Sequence, residues 1–406
     1  MKQISRNCAF FLLVSTILPI QSEVHADETQ QRLEDLVSTL QAGALKTKLE
    51  ACLGNPLISS EFSISHRGAP LTYPEHTREG YIAAHEMGAG VIECDVTFTK
   101  DKELVCRHSQ CDLHSSTNIL QTPLADSCSI PPDFQSKQPF RNVKCCTSDI
   151  TLSEFKSLKG RKDKSNKKAK TLDEFYMHTQ ALPNAPGLEF GELISHKESI
   201  ELFKSLGVKM VPELKKAQID MPFNGFTQQQ YAAAIVQDYI DADITHENVT
   251  LQSFNLDDVY FWLENFPQFG QNAVWLDGRY GASGFNHKKS KTWKPGMEEL
   301  RHSGVETLAP PLWMLLALDK KGQIVPSDYA QSATRAGLDI ITWTLERSGS
   351  LESGGGWYYQ TVKKAINKDS DMLRVLDVLA QQVKVAGVFS DWPASTTFYA
   401  NCMGLQ

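Results

Sequence analysis

A rhythm constrains this chain more than any single residue does. Eight short apolar runs recur, most of them ending in polar or charged residues, and most lead into a helix-length segment. The runs are Phe62–His66, Gly90–Glu93, Val208–Val211, Val249–Ser253, Ala273–Asp277, Val305–Ala309, Ile340–Thr344 and Val385–Ser390. Continuous apolar runs suit strands buried on both faces, and intervening helices enforce parallel pairing. Eight such units predict an α/β fold, the closed (β/α)8 TIM barrel.

One gap breaks the rhythm. More than a hundred residues separate Glu93 from Val208. They begin with a hairpin, Val96–Thr99 returning through Leu104–Cys106, and continue as an insertion over about 109–200. Its Lys156–Lys170 stretch is rich in Lys and reads as a solvated, mobile loop. It lacks the interleaved aromatics of a nucleic-acid patch, and the chain is acidic, with 41 Lys and Arg against 48 Asp and Glu. The glycine-rich segment Ser348–Gly356 lacks the spacing of a phosphate cradle and reads as a flexible loop.

Ahead of the barrel, Lys2 and Arg6 precede an apolar run, and Val24-His25-Ala26 offers a small-residue exit. This is the pattern of a signal peptide over 1–26; about 13 apolar residues are too few to span a bilayer stably. Residues 27–58 carry Leu33, Leu36, Val37, Leu40 and Leu45 at helical spacing and form a helical segment, leaving 59–406 for the barrel. Removal of the leader leaves eight cysteines, an even number that favours disulfides after export. Five lie between Cys106 and Cys146, which predicts a loop stapled by bridges whose connectivity stays open. A zinc site from Cys106, His108, Cys111 and His114 has no standard ligand spacing.

In a barrel, strand C-termini face the active site. Those ends read His66-Arg67-Gly68, Glu93, Asp95, Glu213, Lys215, Ser253-Phe254, Trp343 and Asp391. Glu93 and Asp95, two apart, share one strand face while Cys94 takes the other. With Glu213 they make three carboxylates, a hard-oxygen donor set for Ca²⁺ or Mg²⁺. Thr77 reads as the N-cap of a helix starting at Arg78.

These residues lie in blocks through which the sequence resembles the glycerophosphodiester phosphodiesterase family. The blocks are Ser65-His66-Arg67-Gly68, Tyr73-Pro74-Glu75-His76-Thr77, Ile92-Glu93-Cys94-Asp95-Val96, Thr99-Lys100-Asp101, Leu104-Val105-Cys106-Arg107-His108, Thr171-Leu172-Asp173-Glu174, Pro212-Glu213-Leu214-Lys215, Gln252-Ser253-Phe254 and Ser390-Asp391-Trp392-Pro393. They run in family order from about 60 to 395. His76 stands where Asn is usual, Ser109 where Asp is usual and Trp392 where Arg is usual. The resemblance implies a phospholipase C-like phosphodiesterase barrel and hydrolysis of a small-molecule glycerophosphodiester. Glu93, Asp95 and Glu213 would hold one divalent cation, with Ca²⁺ favoured for an exported enzyme. His66 and His108 would be the general acid–base pair, Arg67 and Lys215 the phosphate contacts, and Phe254 and Trp343 part of the substrate pocket. It also implies attack by the substrate's own glycerol hydroxyl, through a cyclic phosphate that water opens. Two rival readings are a sphingomyelinase D-type lipase and a non-catalytic surface binding protein on an inherited barrel. The lipase would need an apolar groove, for which Trp313, Trp343, Trp357 and Trp392 are candidates, although ordinary core or rim positions explain them too.

Overall fold

The structure is a computed structural model; it describes residues 18–162, 165–176 and 188–405, with side chains from residue 27 onward. Eight parallel strands form the barrel: β1 (Ser60–Ser65), β2 (Ala89–Phe98), β3 (Lys209–Leu214), β4 (Gln252–Ser253), β5 (Val274–Leu276), β6 (Thr307–Ala309), β7 (Asp339–Thr342) and β8 (Gly387–Ser390). Each pairs with the next, and β8 pairs with β1 through Ser63 opposite Val388, so the sheet closes. All eight predicted runs are strands of this barrel. Beyond its barrel segment, β2 continues into the hairpin with Leu104–Cys106, Val96 opposite Cys106.

The crossovers have clear sequence causes. Thr77 caps the helix Arg78–Glu86 by accepting from the Gly80 amide. The helix His196–Leu206 starts in a Ser195/Glu198 capping box and ends on Gly207 in the left-handed region. Helix α1 (Leu18–Thr39) and α2 (Ala44–Glu50) lie N-terminal to the barrel; Leu33, Leu36, Val37, Leu40 and Leu49 bury into the main core. The leader up to residue 17 lies outside the described residues, and the proposed cleavage point at Ala26 falls within α1. Among the described residues, no helix is long and apolar enough to cross a membrane.

The eight cysteines pair as Cys52–Cys402, Cys94–Cys106, Cys111–Cys146 and Cys128–Cys145. Two of these bridges lie inside the Cys106–Cys146 stretch. The others reach outside it: Cys106 crosses the hairpin to Cys94, and Cys52 ties the turn after α2 to the last helix, 350 residues away. With Cys106 and Cys111 oxidised, the zinc alternative is excluded.

The expected loop character of the insertion needs correction. It owns a core, in which Leu113, Ile119, Phe140, Ile150, Phe155 and Phe175 are buried together. The basic stretch is not a mobile loop where it is described. Lys156 ends a helix and pairs with Glu192 at 3.3 Å and Glu198 at 2.8 Å. Arg161 is buried, donates to the carbonyls of Ser115 and Tyr176, and lies 4.1 Å over the Tyr176 ring. A run of Lys and Arg in sequence thus hides stems and heads already bound inside the fold.

Candidate active site

The strands aim the site by simple alternation. Ile64, Val91, Val211, Ile341 and Phe389 fill the barrel interior, and two residues later come His66, Glu93, Glu213, Trp343 and Asp391. One further step gives Asp95 and Lys215. A period of two keeps each series on one face, so the apolar floor and the polar mouth follow from the same strands.

Glu93, Asp95 and Glu213 are buried, and their ligand oxygens all lie within 4.8 Å of one another. Asp95 sits opposite Glu213 in the β2–β3 ladder. At that spacing each ionised pair repels by about 3–4 kcal/mol at an effective dielectric near 20. Lys215 meets part of this charge, 2.7 Å from Glu213 and 3.7 Å from Asp95. Burial and the neighbouring carboxylates still drive Glu93 well above the usual range. Burial likewise pushes Glu213 up to about 8. Burial also acts on Asp95, but Lys215 and His76 outweigh it and hold this carboxyl well below the usual range. The buried Oδ1 of Asp95 has no hydrogen-bond partner among the described residues. Three convergent hard oxygens, excess negative charge and one carboxylate oxygen without a hydrogen bond fit a divalent cation such as Ca²⁺ or Mg²⁺.

His66 is buried at the end of β1, with Nδ1 bonded to the Asp391 carboxylate and Nε2 4.0 Å from Glu93. Burial lowers its pKa to about 4 against the opposing pull of Asp391. Asp391 is raised by burial, yet Arg347 and His66 outweigh this and hold it at about 2. The ring is therefore neutral near pH 7, with its Nδ1 proton on Asp391 and Nε2 free to accept. His108 follows the return strand of the hairpin, within 4.8 Å of carboxylate oxygens of Glu75 and Asp112. Burial, then Arg67 and Lys215, push its pKa well down.

A second charged group organises around Glu75. Arg67 reaches it at 3.1 Å, Arg347 at 3.4 Å and Arg107 at 3.4 Å. The Arg67 amide also donates to Glu93 at 3.0 Å, from a left-handed backbone at φ 62. Gly68 follows because a Cβ there would lie 2.9 Å from the Gly80 backbone.

The structure therefore gathers His66, His108, Arg67, Glu93, Asp95, Glu213 and Lys215 at one barrel mouth. Phe254 and Trp343 lie across it, ring centroids 5.8 Å apart, with Phe254 39% exposed. Of the four tryptophans considered for an apolar groove, Trp313, Trp343 and Trp357 do cluster. Trp392 does not; it is buried beneath the Arg32 guanidinium of α1, 4.0 Å from its ring. The guanidinium that meets Asp391 comes from Arg347 instead, at 3.2 Å.

Sequence reasoning left several partners without a role. Gln252 donates to Glu93 at 2.8 Å. His76 donates from Nε2 to Asp95 at 2.9 Å and accepts the Tyr81 hydroxyl proton on Nδ1 at 2.8 Å. Asp391, Gln252, Glu75 and His76 all stood inside the recognised blocks, so the signal was present. Arg347 lay outside every block and gave none.

Comparison with known proteins adds a family and a fold. Residues 66–395 match the Glycerophosphoryl diester phosphodiesterase family. An extracellular protein of Arthroderma benhamiae is 44% identical over 219 residues, 53% of this chain and 88% of that one. The glycerophosphodiester phosphodiesterase GDPDL5 of Arabidopsis thaliana is 30% identical over 83% of this chain, which spans only 42% of that relative. In fold, a candidate glycerophosphoryl diester phosphodiesterase of Silicibacter pomeroyi aligns over 89% of this chain and 99% of its own, at TM-score 0.56 and 17% identity. A family match over residues 66–395, most of the barrel, means that the chain belongs to the glycerophosphoryl diester phosphodiesterase family of enzymes.

Proposed function

We propose that this protein is an exported, metal-dependent hydrolase that cleaves glycerophosphodiesters to glycerol 3-phosphate and an alcohol by histidine acid–base catalysis. The observation that carries the reading is a neutral His66, backed by Asp391, beside the three-carboxylate cluster and the arginines on Glu75. Glu93, Asp95 and Glu213 would hold the divalent cation, which when bound supplies Lewis-acid neutralisation of phosphoryl charge. Arg67 and Lys215 bind the anionic phosphoryl oxygens, where charge grows in the transition state. His66 Nε2 takes the proton of the attacking hydroxyl, and Asp391 keeps the ring in the required tautomer. His108 then gives a proton to the departing alkoxide, and water opens the resulting cyclic phosphate to glycerol 3-phosphate with the two histidines exchanging roles. Besides burial, the charges that depress the His108 pKa are Arg67 and Lys215, and a bound diester anion opposes them, which favours the acid form of His108. Phe254 and Trp343 contact the alcohol portion of the substrate.

Organisation follows the same reading: a leader over 1–26, a helical segment over 27–58, and a catalytic barrel over 59–406 with its insertion at about 109–200. Four disulfides support export, because such bridges persist in oxidising compartments. Export also favours Ca²⁺ over Mg²⁺. The test is purified protein on glycerophosphocholine, with glycerol 3-phosphate detected enzymatically. Release of product, lost in chelator and restored by Ca²⁺ or Mg²⁺, is expected. Full rates in chelator after exhaustive dialysis overturn the metal; absence of product from every glycerophosphodiester overturns the reading.

A further inference from the structure

The side of the mouth opposite the charged cluster is built from rings. Trp357 lies at its centre, with ring centroids 5.1 Å from Tyr280, 5.6 Å from Trp313, 6.0 Å from Trp343 and 4.9 Å from Tyr358. Tyr280, Trp313 and Tyr358 stand nearly edge-on to it, whereas Trp343 is stacked at 26°. Phe254 closes the far side against Trp343 at an interplanar angle of 83°. Three of these side chains keep substantial exposure: Trp357 41%, Phe254 39% and Tyr280 36%.

The wall is a built feature. Gly354, Gly355 and Gly356 all have positive φ, and a Cβ on Gly355 would lie 2.6 Å from the Tyr359 ring. Tyr359 is buried and anchored by its hydroxyl to the Leu345 carbonyl at 2.6 Å. This turn, unexplained by the diesterase chemistry, delivers Trp357 to the mouth. Trp343 is pinned in turn by its Nε1, which donates to the Ala309 carbonyl at 3.0 Å. Electrostatics ties the wall to the reaction centre. The Tyr280 phenol is pushed up by burial, then by Asp277 and Glu213. The Tyr358 phenol is pushed up by burial and then by Asp391.

Resting on the diesterase reading, we propose that this aromatic wall is the subsite for the leaving alcohol and selects diesters whose alcohol carries a quaternary ammonium group. Such a group is a diffuse cation with a methylated surface, held by ring faces rather than by hydrogen bonds. The observations favour it over an acyl chain because the exposed large side chains of the wall are all aromatic, tryptophan and tyrosine among them. A zwitterionic substrate would then match the mouth, its phosphate on the Arg67–Lys215 side and its cation on the ring side.

Two measurements test this. In the first, kcat/KM is compared for glycerophosphocholine and glycerophosphoethanolamine in the wild type, Trp357→Phe, Trp357→Leu and Trp357→Ala. The wild type should prefer the choline ester by about tenfold or more; Trp357→Phe should keep most of that ratio, and Leu and Ala should lose it. In the second, binding is followed by tryptophan fluorescence, using choline and its uncharged isostere 3,3-dimethylbutan-1-ol. Choline should bind at least about tenfold more tightly, a preference that Trp357→Leu removes. Equal binding of the two, or a ratio that Leu preserves, overturns the proposal, as does stronger turnover of a lysophospholipid with no choline preference. The binding arm needs no turnover, so it separates failure of this subsite from failure of the diesterase reading.

Discussion

The two halves of the barrel mouth are made by the same strands yet solve different physical problems. One half, on β1, β2, β3 and β8, packs buried charges so that each has a partner: His66 on Asp391, Arg67 on Glu75, Lys215 on Glu213. The other half, following β4 and β7 and their neighbours, stacks rings with few directional bonds and leaves them partly exposed. Truncating one member of a buried charged set strands its partner, which costs several kcal/mol. Truncating one ring loses contact area and about 0.5–1.5 kcal/mol of ring–ring attraction. The charged half should therefore control kcat and the ring half KM and selectivity.

The comparison is sharpened most by the carboxylates proposed to hold the cation. Glu93→Gln or Asp95→Asn should weaken divalent-cation binding and lower kcat/KM by about a thousandfold or more, since metal stabilisation supplies several kcal/mol. Isothermal titration with Ca²⁺ checks the first effect and steady-state kinetics the second; a variant that keeps both would break the assignment.

Next come the histidines. His66→Ala and His108→Ala should each cut the turnover of the folded protein by at least about a hundredfold, with metal content near wild type; His66→Ala should also lower thermal stability, because it strands the buried Asp391 carboxylate. The double variant should lose far less than the product of the two losses if both act in one proton-transfer sequence, as proposed. A substrate with a good leaving group should rescue His108→Ala and not His66→Ala. Rescue of the opposite variant would exchange the acid and base roles of the two rings.

A smaller effect concerns pH. His66 has a folded-state pKa of about 4 against an ordinary 6.5, so between these values the unfolded chain binds a proton that the folded chain refuses. Its contribution to stability thus rises with pH across that window and is lost as pH falls through it. In activity, the base form of His66 survives down to about pH 4. The acid limb of kcat/KM should then lie near pH 4; a limb centred at 6.5 would show that Asp391 and burial do not set this ring.

The smallest effect belongs to the ring half. Phe254→Ala should raise KM for glycerophosphocholine by about two- to tenfold, with kcat within about twofold of wild type, as expected for one lost aromatic contact. A collapse of kcat would place Phe254 in the reacting geometry and dissolve the division between the halves.

Much of the charged half was legible in the sequence. Glu93 and Asp95 had to share a face by period two, and the strand-end His66, Glu213 and Lys215 were placed by the barrel rhythm. The insertion was less legible, because its short helices carry few periodic positions. Its buried Arg161 is indistinguishable in sequence from a solvated one; only the Ser115 and Tyr176 carbonyls reveal the difference. The ring half was hardest to read. Trp357 sits in a glycine-rich segment that local pattern describes as flexible, and Trp392 looked as suitable for the groove as Trp343 did.

The sequence by itself determined the strand order, the alternation that points each side chain inward or outward, and hence which residues stand at the mouth. These are local properties, set by backbone geometry within a few residues. Tertiary structure alone decided the partnerships. Closing β8 onto β1 brings Asp391 to His66 across 325 positions, and the β7–β8 connection carries Arg347 to Glu75 across 272. It also decided which cysteines meet and which tryptophans share a wall. Such pairings depend on where a closed barrel returns the chain in space, and no window of sequence contains that distance.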